Sequence, residues 1–126
     1  MGLRIAIIVA RFNSDITARL LVGSKMALAD NGVKDENVVV VAVPGSFEIP
    51  LVAKKMVESG NYDAVVCLGT IIQGETDHYK HIARQVAEGI TQINLTLGVP
   101  VVFGVLTTKT LKEAENRSGG KDGEYV

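Results

Sequence analysis

The sequence has little of what marks disulfide-rich, nucleic-acid-binding or membrane-spanning proteins. It has one cysteine, Cys67, in an apolar run, which predicts an unpaired core thiol in a reducing compartment. The formal net charge of -1 gives no basic surface for nucleic acid, so we expect no nucleic-acid partner. No apolar run is long enough to span a membrane, so we expect no membrane association either.

The sequence also has no segment typical of a signal peptide and no internal repeats. Arg11 and Asn13 interrupt the short apolar run that follows Arg4, and no small-residue cleavage site comes after them. We therefore expect a cytoplasmic protein. The 126 residues, 47% of them apolar and 21% charged, suit one globular domain over residues 1–126 with a single core.

Strands and helices alternate in the apolar pattern. Residues 4–10, 38–43, 63–69 and 100–105 are short, rich in Val and Ile, and apolar on both faces, as in strands that helices cover on both sides. Helical spacing follows each one, with stops at Asn31-Gly32, Ser59-Gly60 and Gly98, and a fourth helix is predicted from about Lys109 to Asn116.

This alternation predicts an α/β fold with three layers. Strand–helix–strand units in one sheet have right-handed crossovers and give parallel strands. We expect a four-stranded parallel sheet flanked by helices, in the flavodoxin-like order 2-1-3-4.

Candidate site residues follow the predicted strands. In open α/β sheets, ligands bind beyond the carboxyl ends of the strands. Phenylalanines, a glutamate and a histidine converge at that edge of the predicted sheet. The segments are Arg11-Phe12-Asn13, then residues 44–48, then residues 70–78, and finally Phe103-Gly104 with Thr107 and Thr108.

The first two segments each have a structural and a functional interpretation. Phe12 is either a core residue capping the first helix or an exposed ring that stacks on a planar ligand. Residues 45–48 either form only a turn, with Ser46 as the N-cap of the second helix, or offer backbone N–H groups beside a ligand-binding Glu48. For an isolated motif of this kind, the structural interpretation is the more common.

The segment Gly74-Glu75-Thr76-Asp77-His78 points to a function more directly. Thr76 or Asp77 can cap the third helix, which leaves free N–H groups and a positive dipole end beside His78. Such a helix terminus attracts an anion such as phosphate, and a histidine there can transfer protons near neutral pH. A lone histidine is more often structural, but His78 lies at the mouth of the predicted site rather than on the apolar stripe.

Two further groups of polar residues have weaker functional interpretations. Asp77, His78 and His81 would need more ligands to complete a coordination shell, so we expect no metal. His81 is interpreted as a solvated or interface residue. Arg117 and Lys121 form either a solvated face or an anion clamp, because a guanidinium binds phosphate through two hydrogen bonds.

Five blocks of sequence, in this order and with this spacing, resemble the 6,7-dimethyl-8-ribityllumazine synthase family over nearly the whole chain. No single block is decisive, but five in register are specific. The blocks are Arg11-Phe12-Asn13, Val43-Pro44-Gly45-Ser46-Phe47-Glu48-Ile49-Pro50, residues 69–79, Pro100-Val101-Val102-Phe103-Gly104-Val105-Leu106-Thr107, and Asn116-Arg117-Ser118-Gly119.

The resemblance implies a transferase that catalyses the penultimate step of riboflavin biosynthesis. The family condenses 5-amino-6-(D-ribitylamino)uracil with 3,4-dihydroxy-2-butanone 4-phosphate, loses phosphate and water, and needs no metal or organic cofactor. Its sites lie between subunits of a homo-oligomer, which is a pentamer or a pentamer-based shell. Riboflavin synthase is a further candidate partner.

The resemblance also implies a role for each matching residue. Phe12 would stack on the pyrimidine, residues 46–48 would hold the ribityl chain, and residues 70–72 would line the pyrimidine pocket. His78 would transfer protons. Glu75 and Thr76 would contact the butanone phosphate. In a neighbouring subunit's site, Phe103 would cover the pyrimidine and Arg117 would bind the phosphate. The substrate-binding residues implied in this way are Phe12, Ser46, Phe47, Glu48, Thr70, Ile71, Ile72, Glu75, Thr76, Phe103 and Arg117.

The sequence departs from the family's pattern in three places. The family has residues before the first strand that add to a neighbour's sheet, whereas this sequence begins almost at that strand. A lysine-bearing loop and a long final helix follow the family's arginine, whereas this sequence stops at Val126. Gln73 replaces a basic residue that many members carry. The first two departures favour a pentamer over a shell, and the second also bears on phosphate affinity.

Three alternative functions stay open at this point. An archaeal-type riboflavin synthase would dismutate two lumazine molecules, but the Arg11-Phe12-Asn13 block and Phe103 favour the lumazine synthase. A non-catalytic flavin- or lumazine-binding or shell-forming subunit is favoured by the shortened ends and opposed by His78 and Arg117. A generic nucleotide-binding domain would have a glycine fingerprint after the first strand, which this sequence lacks.

Overall fold

The computed structural model describes residues 2–74 and 77–119. Strands and helices alternate along them, as the apolar pattern predicts. Short 3-10 turns at Asp35–Asn37 and Ser46–Glu48 precede the second strand and the second helix. The elements are β1 (Ile5–Ala10), α1 (Ser14–Asp30), β2 (Val38–Val43), α2 (Ile49–Glu58), β3 (Ala64–Ile72), α3 (His78–Leu97), β4 (Val101–Thr108) and α4 (Leu111–Arg117).

The four strands form one parallel sheet in the order β2-β1-β3-β4, which confirms the predicted order. Ile5 pairs with Val38 on one side and with Ala64 on the other, and Val65 pairs with Val101. The chain leaves β1 toward β2 and later continues on the opposite side through β3. The strand order therefore reverses between β1 and β3, which is where open α/β sheets leave a crevice at their carboxyl edge.

Helices cover the sheet on both faces and give the predicted three layers. Ile5 and Ile7 of β1 pack with the α1 layer, whereas Ala6 and Ile8 pack with α2 and α3. Ile7 and Ile8 are completely buried. Full burial of one such side chain contributes about 1.5–3 kcal/mol, so this alternation stabilises both layers at once.

The helices end at the residues that the sequence indicates. Gly32, Gly60 and Gly98 follow the first three helices and adopt positive φ angles of 86°, 74° and 69°. Glycine adopts this region without the steric cost that a Cβ imposes. α4 begins at Leu111 rather than near Lys109, because the Thr110 side chain accepts a hydrogen bond from the backbone N–H of Glu113, at 3.2 Å.

Two of the predicted strand ends are wrong. β3 continues to Ile72 and β4 to Thr108, because the parallel pairing extends as far as Ile72 opposite Thr108. The backbone N–H of Gln73 then donates to the Thr108 carbonyl at 2.9 Å. Threonines interrupt the apolar pattern here, but their branched side chains suit the pleated backbone. Residues 70–72 therefore belong to a strand and not to the loop after it.

The expectation that every strand is buried on both faces is wrong for the two edge strands. Val39 and Val40 of β2 and Val102 and Phe103 of β4 are exposed. In the central strand β3, Cys67 is fully buried, as predicted, and burial raises the pKa of its thiol to about 12. Among the helices described, none is long and apolar enough to cross a membrane.

Candidate active site

A pocket of about 390 Å³ opens at the carboxyl edge of the sheet, near the reversal between β1 and β3. Its walls come from the turns after β1 and β2, the end of β3 and the first turns of α3. The lining residues are Phe12, Gly45, Ser46, Phe47, Glu48, Thr70, Ile71, Ile72, Gly74, His78, Tyr79 and Ile82.

Phe12 lies at the rim of this pocket. Its backbone N–H donates to the Pro44 carbonyl at 3.0 Å, which ties the turn after β1 to the turn after β2. Asn13 follows in the left-handed region, with φ 59° and ψ 53°, and turns the chain sharply into α1. The Phe12 ring is 70% exposed, so its interpretation as a core residue is wrong.

The turn after β2 brings three differently placed side chains to the pocket. Phe47 is 62% exposed and Glu48 is also exposed, whereas Ser46 is only 7% exposed. The Glu48 N–H donates to the Gly45 carbonyl at 3.2 Å and closes the turn. α2 begins at Ile49 without a side-chain cap, so the predicted N-cap role of Ser46 is wrong.

The end of β3 supplies a second buried hydroxyl. Thr70 is 3% exposed. In residues 2–74 and 77–119, the Ser46 Oγ and the Thr70 Oγ1 are the buried side-chain polar atoms that have no hydrogen-bond partner. Buried polar groups are nearly always paired, so two unpaired hydroxyls on residues that line one pocket favour a polar ligand there.

His78 is the first residue of α3, and its exposed side chain lines the pocket. Asp77 occupies the N-cap position but makes no capping hydrogen bond through its side chain. Its carboxylate instead lies 3.8 Å from the Nζ of Lys80, in an exposed pair. His81 is exposed and does not line the pocket, in agreement with its interpretation as a solvated or interface residue.

Tyr79 and Ile82 are lining residues that were not predicted from the sequence. Both are partly buried against the main core. Residues four apart in a helix share a face, so the spacing from His78 to Ile82 was the available indication. Gly45 and Gly74 complete the lining through backbone atoms.

Phe103 and Arg117 do not line this pocket. Phe103 lies on β4 with a partly exposed ring, and Arg117 is the exposed last residue of α4. Glu75, Thr76 and Lys121 lie outside the described residues. Across the described segments, no group of three or more His, Cys, Asp and Glu side chains is placed to hold a metal ion.

The pocket can therefore hold a planar polar ligand. An aromatic ring at the rim suits stacking, two hydroxyls and a carboxylate suit hydrogen bonding, and a histidine at the mouth can move protons. The family model described as 6,7-dimethyl-8-ribityllumazine synthase matches residues 2–126. This match confirms the resemblance and supports lumazine synthesis, a transferase step of riboflavin biosynthesis, over the alternatives. The chain belongs to the 6,7-dimethyl-8-ribityllumazine synthase family.

Proposed function

We propose that this pocket condenses 5-amino-6-(D-ribitylamino)uracil with 3,4-dihydroxy-2-butanone 4-phosphate, with His78 transferring protons. One observation carries the proposal. Eight of the residues that the family resemblance implies come from three separate strand ends and one helix, and they line a single pocket. Its volume of about 390 Å³ falls in the range of small-molecule sites.

The pyrimidine substrate binds across the turns and the end of β3. Phe12 stacks on the pyrimidine ring, and Thr70, Ile71 and Ile72 form the wall beside it. Ser46, Phe47 and Glu48 hold the ribityl chain. The hydroxyl groups of the ribityl chain supply the hydrogen-bond donors and acceptors that the unpaired Ser46 Oγ and the Glu48 carboxylate need.

His78 serves a sequence of proton transfers. The amine attacks the ketone, water leaves to form an imine, phosphate is eliminated, and the second amine closes the ring with loss of water. Each step adds or removes a proton, and an imidazole can do both near neutral pH. Holding two substrates together supplies much of the remaining acceleration.

The phosphate group binds at the amino terminus of α3. The positive end of the α3 dipole favours an anion there. The family resemblance assigns the phosphate contact to Glu75 and Thr76, which lie outside the described residues. Arg117 from a second copy of the chain completes the phosphate site. The exposed position of Arg117 at the end of α4, away from the pocket of its own chain, agrees with this arrangement.

The second copy is part of a pentameric ring. Large apolar side chains are exposed on several elements of the isolated chain, including Phe47, Leu51 and Phe103, and Leu95 is 82% exposed. Exposed apolar surface marks an interaction site where it is contiguous, and a ring contact would cover such surface here. Phe103 of the second copy covers the pyrimidine.

The proposed function is tested by turnover of the two substrates together. We expect the lumazine product to form, and we expect His78→Ala to slow a single turnover by about a hundred- to ten-thousand-fold while pyrimidine binding persists. The matched control is His81→Ala, because His81 lies one turn further along α3 and outside the pocket. It should react at the original rate.

Two outcomes would contradict the proposal. An unchanged single-turnover rate in His78→Ala would remove His78 from the mechanism. Consumption of lumazine supplied alone, with no reaction of the substrate pair, would indicate a riboflavin synthase instead.

A further inference from the structure

The Ser46 Oγ lies where the Cβ atom of any larger residue at position 69 would be. A Cβ built on Gly69 would overlap the Ser46 hydroxyl, and it would lie 3.4 Å from both the Ser46 Cβ and the Ile49 Cδ1. Gly69 itself is buried in β3, where it pairs with Val105. The turn after β2 therefore packs directly on the bare backbone of the strand.

Backbone conformation does not explain a glycine at this position. The glycines with positive φ in the described chain are Gly32, Gly60, Gly98 and Gly119, and Gly69 is not among them. Its strand pairing is regular, so any residue could adopt its backbone angles. A glycine inside a strand weakens the strand and commonly marks a close approach of another group. Here the approaching group is the Ser46 side chain.

The Ser46 side chain has no structural partner that would explain it. It does not cap α2, and its buried Oγ makes no hydrogen bond. An unpaired buried hydroxyl disfavours the folded state, so an alanine would be the more stable choice. The glycine and the serine both weaken the fold, and together they bring a residue with an unpaired hydroxyl into the lining of the pocket.

We propose that Gly69 is a positioning residue, whose missing side chain lets the 46–48 turn pack against β3 and hold the Ser46 hydroxyl toward the ribityl chain of the substrate. The inference rests on the proposed function, because it concerns affinity for the same pyrimidine substrate. Gly69 does not touch the substrate. It acts through Ser46 and through the two residues that follow Ser46 in the turn.

The test compares Gly69→Ala, Ser46→Ala and the double variant by steady-state kinetics. Ser46→Ala loses one hydrogen bond, so its KM for the pyrimidine should rise about fivefold. Gly69→Ala displaces the whole turn, so its KM for the pyrimidine should rise further, with kcat and the KM for the phosphate substrate little changed. The double variant should match Ser46→Ala, because the remaining contact between Cβ atoms, at 3.4 Å, is ordinary.

Three results would overturn the inference. The first is an unchanged KM for the pyrimidine in Gly69→Ala. The second is a double variant whose rise in KM equals the product of the rises in the two single variants. The third is a Gly69→Ala variant in which the KM values for both substrates rise together. If Gly69→Ala alone does not fold, recovery of folding in the double variant supports the inference and its failure to fold overturns it.

Gly104→Ala is the matched control for crowding in the sheet. A Cβ there would lie 2.8 Å from the Cys67 carbonyl oxygen and 2.8 Å from the Leu68 Cδ2, with no part of Ser46 nearby. Ser46→Ala should therefore not relieve the effect of Gly104→Ala, and relief there would overturn the inference. Wild-type turnover separates the two proposals. An inactive wild type refutes the proposed function, whereas an active wild type without the rescue refutes only the role of Gly69.

Discussion

Two buried threonine hydroxyls, one from the pocket and one from outside it, distinguish a contribution to stability from a contribution to ligand binding. The Thr70 Oγ1 is buried on β3 without a partner, whereas the Thr108 Oγ1, buried on the neighbouring strand β4, donates to the Thr110 carbonyl at 2.9 Å. The two threonines are alike in burial and in type of element. They differ in whether the fold itself uses the hydroxyl.

We expect Thr70→Val to raise the thermal midpoint and to raise the KM for the pyrimidine. Valine has nearly the shape of threonine and removes an unpaired hydroxyl, whose burial costs about 1–3 kcal/mol. Thr108→Val removes a paired hydroxyl and should lower the midpoint instead. Thermal denaturation at one fixed protein concentration measures both. A lower midpoint in Thr70→Val would mean that the fold uses this hydroxyl.

Individual site residues were predictable where their position in the chain decides their place in the fold. His78 follows a strand and begins a helix, so topology alone brings it to the carboxyl edge. The burial of Ser46 was not predictable, because it depends on Gly69, a residue 23 positions later on another element. Tyr79 was missed because an aromatic residue beside an apolar stripe is usually part of the core.

At the scale of elements, the connection from α3 to β4 depends on one side chain. The Asn94 Nδ2 donates to the carbonyls of Ile90 and Val101, at 3.0 and 2.9 Å. The Val101 N–H donates back to the Asn94 Oδ1 at 2.7 Å. The amide thus pairs with the first residue of β4 much as a neighbouring strand would.

We expect Asn94→Ala to lower the free energy of unfolding by about 2–3 kcal/mol, because it leaves the backbone of Val101 without these partners. The control is Asn31→Ala at the end of α1. The Asn31 side chain donates an exposed hydrogen bond to the Ala27 carbonyl, at 2.8 Å. Its loss should lower the free energy of unfolding by only a few tenths of the Asn94→Ala effect. Denaturant titration compares them. Equal losses would show that the link to β4 adds nothing.

Elements as a whole were more predictable than their ends. The first three helices followed from apolar periodicity and from glycine stops, and the strand order agrees with the flavodoxin-like order expected for this alternation. The ends of β3 and β4 did not, because Thr70 and Thr108 extend a ladder that depends on pairing between strands. Exposure of Val39 and Phe103 was not predictable either, since a run of apolar residues does not reveal which strands lie at the edge.

At the scale of the whole molecule, we propose a site that is divided between copies of the chain. His78 lines the pocket and Arg117 does not. A chain with His78→Ala still supplies Arg117, and a chain with Arg117→Ala still supplies His78. Complementation between the two variants therefore tests whether sites are shared.

We expect co-expressed His78→Ala and Arg117→Ala chains to recover activity that neither has alone. With random mixing in a ring, roughly a quarter of the sites combine both intact residues. The assay uses the phosphate substrate below its KM, where the loss of Arg117 is most evident. Separately purified variants, mixed without subunit exchange, are the control. No recovery in the co-expressed hybrid would place each site within one chain.

In the proposed ring, the position of Phe103 and Arg117 outside their own chain's pocket would also tie catalysis to mass action. A free chain presents the turns and the end of β3, so under this proposal it would take up the pyrimidine. In that arrangement, a chain without a neighbour would have neither the second aromatic wall nor the cation for the phosphate. The rate per chain would then depend on how much protein is present, and dilution below the dissociation concentration of the ring would leave a binder without turnover.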